Sequence, residues 1–181
     1  MKILILGIGN ILFGDEGIGV HLAHYIKDKY SFGSQEHTVD ILDGGTLAQR
    51  LIPIITEYDK VVVIDCVKVL DASIGEVYNF DFQDMPEYIT WNGSAHEVEM
   101  LQTLQMIELM GDLPPIKIIG VIPHVIGENS TFTMTPAVLN ASKLMESEII
   151  KYIKSFDIEV SIKSDADLVA ISKTSYLKGV M

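Results

Sequence analysis

The stretch from Gly7 to Gly19, "GIGNILFGDEGIG", follows directly on an apolar run, Ile3-Leu4-Ile5-Leu6. A strand that feeds glycines and then a helical pattern is how many α/β domains begin. Residues 16–29 supply that pattern, with Ile18, Leu22, Tyr25 and Ile26 on one face. Gly7 and Gly9 also open a dinucleotide fingerprint, G-x-G-x-x-G, but Leu12 stands where the third glycine belongs. Asp15 and Glu16 would moreover set negative charge beside a pyrophosphate at a helix N-terminus, a place that favours anions. Asp40 or Asp43 could imitate the ribose-binding acid, so a nucleotide-binding, Rossmann-like oxidoreductase stands as the alternative. The stronger reading is a tight loop that presents carboxylates.

Outward from that loop, short apolar runs alternate with helical patterns, which predicts an α/β fold: a single three-layer domain with a twisted, mainly parallel sheet between helices. After a first strand at residues 2–6, "TVDILD" (38–43) reads as the second, closed by Gly44-Gly45. Residues 47–58 read as a helix bent or ended by Pro53. "KVVVIDC" (60–66) is the clearest central strand, β-branched on both faces. "GEVYNFDF" (75–82) alternates like an edge or antiparallel strand, and residues 96–111 are helical up to Gly111. "IKIIGVIP" (116–123) is another buried strand. Residues 135–156 read as a helix with Thr135 as N-cap and Pro136 at its first position. The maturing picture is one domain over 1–156 and a C-terminal extension, 157–181, with a strand from Ile158 to Ile162 and no assigned role.

Composition narrows the partners. The 181 residues carry 25 acidic against 13 basic side chains, a formal net charge of -12. Such a surface repels nucleic acid and anionic membranes, since binding either needs a basic face. A single cysteine, Cys66, rules out an intrachain disulfide and a Cys-rich metal site. The N-terminus opens on a core strand with no export signal, and no apolar run nears the ~20 residues of a membrane span. A soluble, cytoplasmic protein is expected.

In open α/β sheets, ligands bind beyond the carboxyl ends of the strands, where the strand order reverses. With the first strand central and the second and third on either side of it, that crevice lies just after residues 6 and 64. Glu16 and Asp65 then supply oxygen ligands from neighbouring strand ends. His96 supplies a nitrogen from the first turn of its helix, where Ser94 and Glu97 have the spacing of a capping box. The helix dipole disfavours an imidazolium there and keeps the ring ready for a metal. Two carboxylates and an imidazole suit a borderline divalent ion such as zinc or nickel. An acid also ends the second strand, Asp43 in "DGGT".

Blander roles compete with each of these. Asp15 or Glu16 can stabilise a helix start, Asp65 can cap a turn, and a first-turn histidine is often surface decoration. His21 and His24, three apart on a helix, could form a metal pair; His124, after the last core strand, could face the substrate; His37 carries no signal. Cys66 reads as a small buried hydrophobe. No Gly-x-Ser-x-Gly elbow offers a serine nucleophile. The methionines at 100, 106, 110, 134 and 145 follow helix patterns mostly expected in the core.

In order along the chain, "GIGNILFGDEGIG", "DGGT", "VVVIDC", "SAHE" and "GVIP" resemble the hydrogenase maturation endopeptidases. The likeness runs from residue 1 to about residue 154. It implies an endopeptidase that removes the C-terminal extension of a [NiFe]-hydrogenase large-subunit precursor after nickel insertion. By position, it places the family's metal-contacting trio on Glu16, Asp65 and His96 and a further functional acid on Asp43. With Asp43 and Asp65 as catalytic acids, the implied class is an aspartyl protease. Nickel would arrive bound to the precursor, and zinc or cadmium could take the same ligands. The family's frequent Gly-Ile-Gln-Pro is here Gly120-Val121-Ile122-Pro123, which removes a polar role from position 122.

The resemblance leaves two chemistries open. A metal can polarise the peptide carbonyl or lower the pKa of water; alternatively Asp43 or Asp65 acts as general base. A non-catalytic hydrogenase-assembly chaperone would bind the same precursor without shortening it.

Overall fold

The computed structural model describes residues 1–46, 48–90, 95–124 and 131–175, the side chains of residues 90 and 95–99 excepted. The first strand, β1 (Lys2–Ile8), leads through a 3-10 turn (Gly14–Gly17) into α1 (Ile18–Lys29). β2 (Tyr30–Gly33) and β3 (Thr38–Gly45) follow, then a 3-10 turn and the short α2 (Ile52–Ile55). Pro53 sits in the first turn of α2, where its missing N–H costs nothing, so it starts a helix rather than ending the longer one expected over 47–58.

β4 (Lys60–Cys66) runs into β5 (Lys68–Val69), β6 (Val77–Asp81) and β7 (Ile89–Thr90). The chain continues as α3 (Ala95–Met110), β8 (Ile116–Val121), α4 (Pro136–Lys154), β9 (Glu159–Ile162) and α5 (Leu168–Ser172).

The main sheet has the order β3-β1-β4-β8-β6. Its first four strands are parallel, and β6 pairs antiparallel with β8 at the edge. Successive side chains of a strand point to opposite faces, so each central strand feeds two cores. Ile3 and Ile5 of β1 join Val62 and Ile64 of β4 beneath α1, α4 and α5. Leu4 and Leu6 join Val61 and Val63 on the other face, beneath α3 and α2. Helices therefore cover both faces, as the unbroken apolar runs of β1, β4 and β8 require.

Helix α4 is capped as its sequence predicts: the Thr135 side chain accepts a hydrogen bond from the Val138 N–H. On α3, Met100 is buried, whereas Met106 and Met110 are 46% and 53% exposed, contrary to the core role expected of them. The reason is phase: Met100, Leu104 and Ile107 take the inward stripe, which leaves the opposite face to the later methionines.

The glycines of the opening stretch set how closely α1 lies on the sheet. A Cβ on Gly19 would fall on the carbonyl oxygens of Ile8 and Ile64. One on Gly7 would fall on the Gly19 carbonyl and lie 2.7 Å from the Ala23 Cβ. Helix and strands meet backbone to backbone here, which brings the loop before α1 directly over the ends of β1 and β4.

Candidate active site

Parallel pairing puts the ends of β3, β1, β4 and β8 along one side of the sheet. The second strand of the sheet, β3, lies on one side of β1 and the third, β4, on the other, which is the reversal assumed from the sequence. The loop after β1 closes over that crevice. Its backbone folds on itself, Asn10 N–H to the Glu16 carbonyl at 3.1 Å and Phe13 N–H to the Asn10 carbonyl at 3.1 Å. Gly9, at φ 147°, lets the Glu16 carbonyl approach where a Cβ would otherwise stand. Two further bonds tie the loop to Thr131: Gly14 N–H donates to its carbonyl at 2.6 Å and its N–H donates to Leu12 at 2.9 Å. These glycines serve the backbone's own closure, not a phosphate cradle.

Asp15 and Glu16 have separate fates. Asp15 is wholly buried. Its carboxylate accepts from the Thr135 N–H (2.6 Å), the Thr135 hydroxyl (2.8 Å) and the His124 N–H (3.0 Å). It thus clips the loop to the end of β8 and the start of α4, a structural role that the helix-start reading did not foresee. Removing the carboxylate leaves buried donors without an acceptor, at about 1–3 kcal/mol each. Asp15→Ala should therefore lower stability by roughly 3 kcal/mol, or on the order of 10 °C in Tm for a chain this size. A thermal melt within about 2 °C of the parent would contradict that clip.

Glu16 is half-buried, and that burial pushes its carboxyl above the ordinary carboxylate range. Asp65 is the penultimate residue of β4, wholly buried, with one carboxylate oxygen accepting the Cys66 N–H at 2.7 Å. The Cys66 thiol lies 3.4 Å from the Asp15 carbonyl, so the loop carrying Glu16 rests against the end of the strand carrying Asp65. Cys66 itself is buried, as expected of a small hydrophobe. His96 falls in the first turn of α3, but its side chain, Ser94 and the side chain of Glu97 lie outside the described residues. Among the described residues, no three metal-ligating side chains gather.

Asp43 lies near the end of β3, on the same side of the sheet. One of its oxygens accepts the Gly45 N–H at 2.9 Å; the other lies 2.9 Å from His24 Nε2. It lines a cavity of about 320 Å³ with Gly9, Asn10, Ile11, Leu12 and Val20. Asp40, the other candidate for a ribose acid, is exposed and accepts the Tyr58 hydroxyl at 3.0 Å. The His124 side chain is exposed, and its backbone serves Asp15.

His21 and His24 do not act as a metal pair. His24 turns to Asp43, whereas His21 is buried with Nδ1 2.8 Å from the Ser175 hydroxyl. Burial, reinforced by His24 and opposed by Asp43, lowers the His21 pKa from 6.5 to about 4. Between those values the unfolded chain binds the proton and the folded one does not, so stability falls with pH from 6.5 towards 4. At ~1.4 kcal/mol per pH unit the loss is on the order of 3 kcal/mol. Urea unfolding at pH 7 and pH 4.5 should show His21→Gln losing less stability on acidification than the parent; equal losses would assign the acid sensitivity elsewhere.

The fold is α/β, with acids at or after the ends of three neighbouring strands on one side of the sheet. The hydrogenase maturation protease family model matches residues 20–152, and the chain belongs to that family. It is 49% identical over 157 residues to protein HydD of Wolinella succinogenes, covering 87% of this chain and 98% of that one. It is 30% identical over 125 residues to the hydrogenase 2 maturation protease of Escherichia coli, covering 68% and 74% respectively. The structure of the hydrogenase maturating endopeptidase HybD from E. coli superposes with a TM-score of 0.79 at 26% identity, over 92% of this chain and all of that one. The protein is an endopeptidase of hydrogenase maturation.

Proposed function

We propose that this protease removes the C-terminal extension of a nickel-loaded [NiFe]-hydrogenase large-subunit precursor and reads the nickel through Glu16, Asp65 and His96. The supporting observation is the seating of the Glu16 loop on the end of β4 through the Cys66–Asp15 contact. That contact sets the backbone next to Glu16 against the strand residue next to Asp65. Nickel belongs to the substrate in this reading. Half-buried Glu16 meets it from the loop, Asp65 from the strand beneath, and His96 from the first turn of α3.

Asp43 serves as the general base. A base must reach the water it deprotonates. Asp43 lines an open cavity, whereas Asp65 is assigned to the ion. The precursor's scissile peptide would lie between the ion and that cavity. No described helix is long and apolar enough to cross a membrane.

The decisive experiment incubates nickel-loaded and nickel-free large-subunit precursor separately with the protein and follows intact mass. Loss of a C-terminal peptide from the loaded form alone supports both the substrate and its recognition by metal. Equal cleavage of both forms would remove nickel from the mechanism.

A further inference from the structure

Asp43 is held from behind. His24 lies on α1, on the side that faces the end of β3, and its Nε2 stands 2.9 Å from one Asp43 oxygen. The Gly45 N–H donates to the other oxygen at 2.9 Å. Each carboxylate oxygen thus has its own donor, which fixes the plane of the group. The pair is mostly shielded, with side chains 12% exposed for His24 and 26% for Asp43. Asp43 lines the 320 Å³ cavity beside the Gly9–Leu12 loop, and His24 does not. The imidazole is therefore placed to act on the carboxylate and not on anything in the cavity.

We infer that His24 is a positioning residue for peptide cleavage, holding the Asp43 carboxylate in the orientation from which it addresses a water or peptide in the cavity. The inference rests on the reading of Asp43 as general base. His24 itself neither touches substrate nor exchanges a proton with it. Its N–H donation keeps Asp43 aimed, a requirement because a small misplacement of a catalytic group is costly in rate. The hydrogen bond spans 19 residues from helix to strand. It exists because the close seating of α1 on β1 brings His24 within reach of the end of β3.

The test uses the full chain and the nickel-loaded precursor, with kcat and KM for cleavage measured for four variants whose melting is checked first. His24→Leu removes the donor and should lower kcat about tenfold to a hundredfold, with KM changed less than about twofold, as when a supporting partner of a catalytic group is lost. His24→Gln offers an amide N–H at a similar reach and should recover most of that loss. Asp43→Asn alone should be slower still, and His24→Leu combined with Asp43→Asn should be no slower than Asp43→Asn, because His24 acts only through the acid.

Independent, multiplying effects in the double variant would overturn the inference, as would His24→Gln being as slow as a folded His24→Leu. Should His24→Leu not fold, His24→Gln and His24→Asn take its place: parent-like kcat in the shorter Asn, which cannot span the gap, overturns the inference, and loss in Asn with retention in Gln supports it. Parent-like cleavage by Asp43→Asn would instead remove Asp43 as base, a failure of the underlying reading that this single variant reports by itself.

Discussion

Glu16→Gln should lower cleavage of nickel-loaded precursor at least about a hundredfold, the scale of losing one group that stabilises charge in a reaction. The side chains are nearly isosteric, and the amide lacks the negative charge that a bound divalent ion needs. The variant should fold at least as well as the parent. Burial raises the Glu16 pKa, so its charged form is disfavoured in the folded chain, and a neutral amide relieves that cost. Lost activity together with kept or raised Tm is the mark of a group retained for function at the expense of stability. His96→Ala should share the loss of cleavage. Assay by intact mass of the precursor, beside thermal melting, checks both halves. Parent-like rates in Glu16→Gln would take the loop carboxylate out of the site.

Gly19→Val should be the most damaging single substitution for folding. Any Cβ at that position meets the carbonyl oxygens of Ile8 and Ile64 and lies 2.9 Å from the Ile8 nitrogen. These are backbone atoms of two central strands, so no side chain can swing aside. The helix must lift instead, which opens the core that Ile18, Leu22 and Ile26 share with Ile3, Ile5 and Ile64. Overpacking typically costs 1–3 kcal/mol, and more where backbone must move. A loss of about 4 kcal/mol or more is expected, against a typical domain stability of roughly 5–15 kcal/mol. Gly19→Ala should show most of the same effect, since the first carbon already collides. Equilibrium urea unfolding of the alanine variant measures it, and a midpoint matching the parent would mean that α1 is not seated as closely as described.

The strands that could be read from sequence are those with the simplest burial. β1, β4 and β8 lie between two helical layers, so their apolar runs are uninterrupted; β6 is an edge strand and alternates. Their order then pointed to Glu16 and Asp65 as candidates without any knowledge of contacts. β2 escaped notice because four residues of Tyr30–Gly33 are too few to show a period. The stretch 47–58 looked like one helix because Leu51, Ile52 and Ile55 recur at helical spacing, yet only Ile52–Ile55 forms an α-helix. Asp15 could not be told from a helix-start acid, since its partners lie 109 and 120 residues away. The His24–Asp43 pair was equally hidden: it depends on the rotation of α1 about its axis, which Gly7 and Gly19 set and no pattern of hydrophobicity reports.

The connection of α1 to the end of the chain has a bearing on biosynthesis. β9 pairs with β2, the Lys163 N–H donates to the Lys29 carbonyl at 2.8 Å, and Ser175 meets His21 across 154 residues. At ~5–20 residues per second, a ribosome needs roughly 10–30 s to make the stretch that separates those last two residues. For that interval the newborn helix lacks the Ser175 contact to His21, and for most of it β2 lacks its partner β9. The helix is thus synthesised well before the residues that complete its packing, and the nascent chain, unlike the folded enzyme, leaves that packing open.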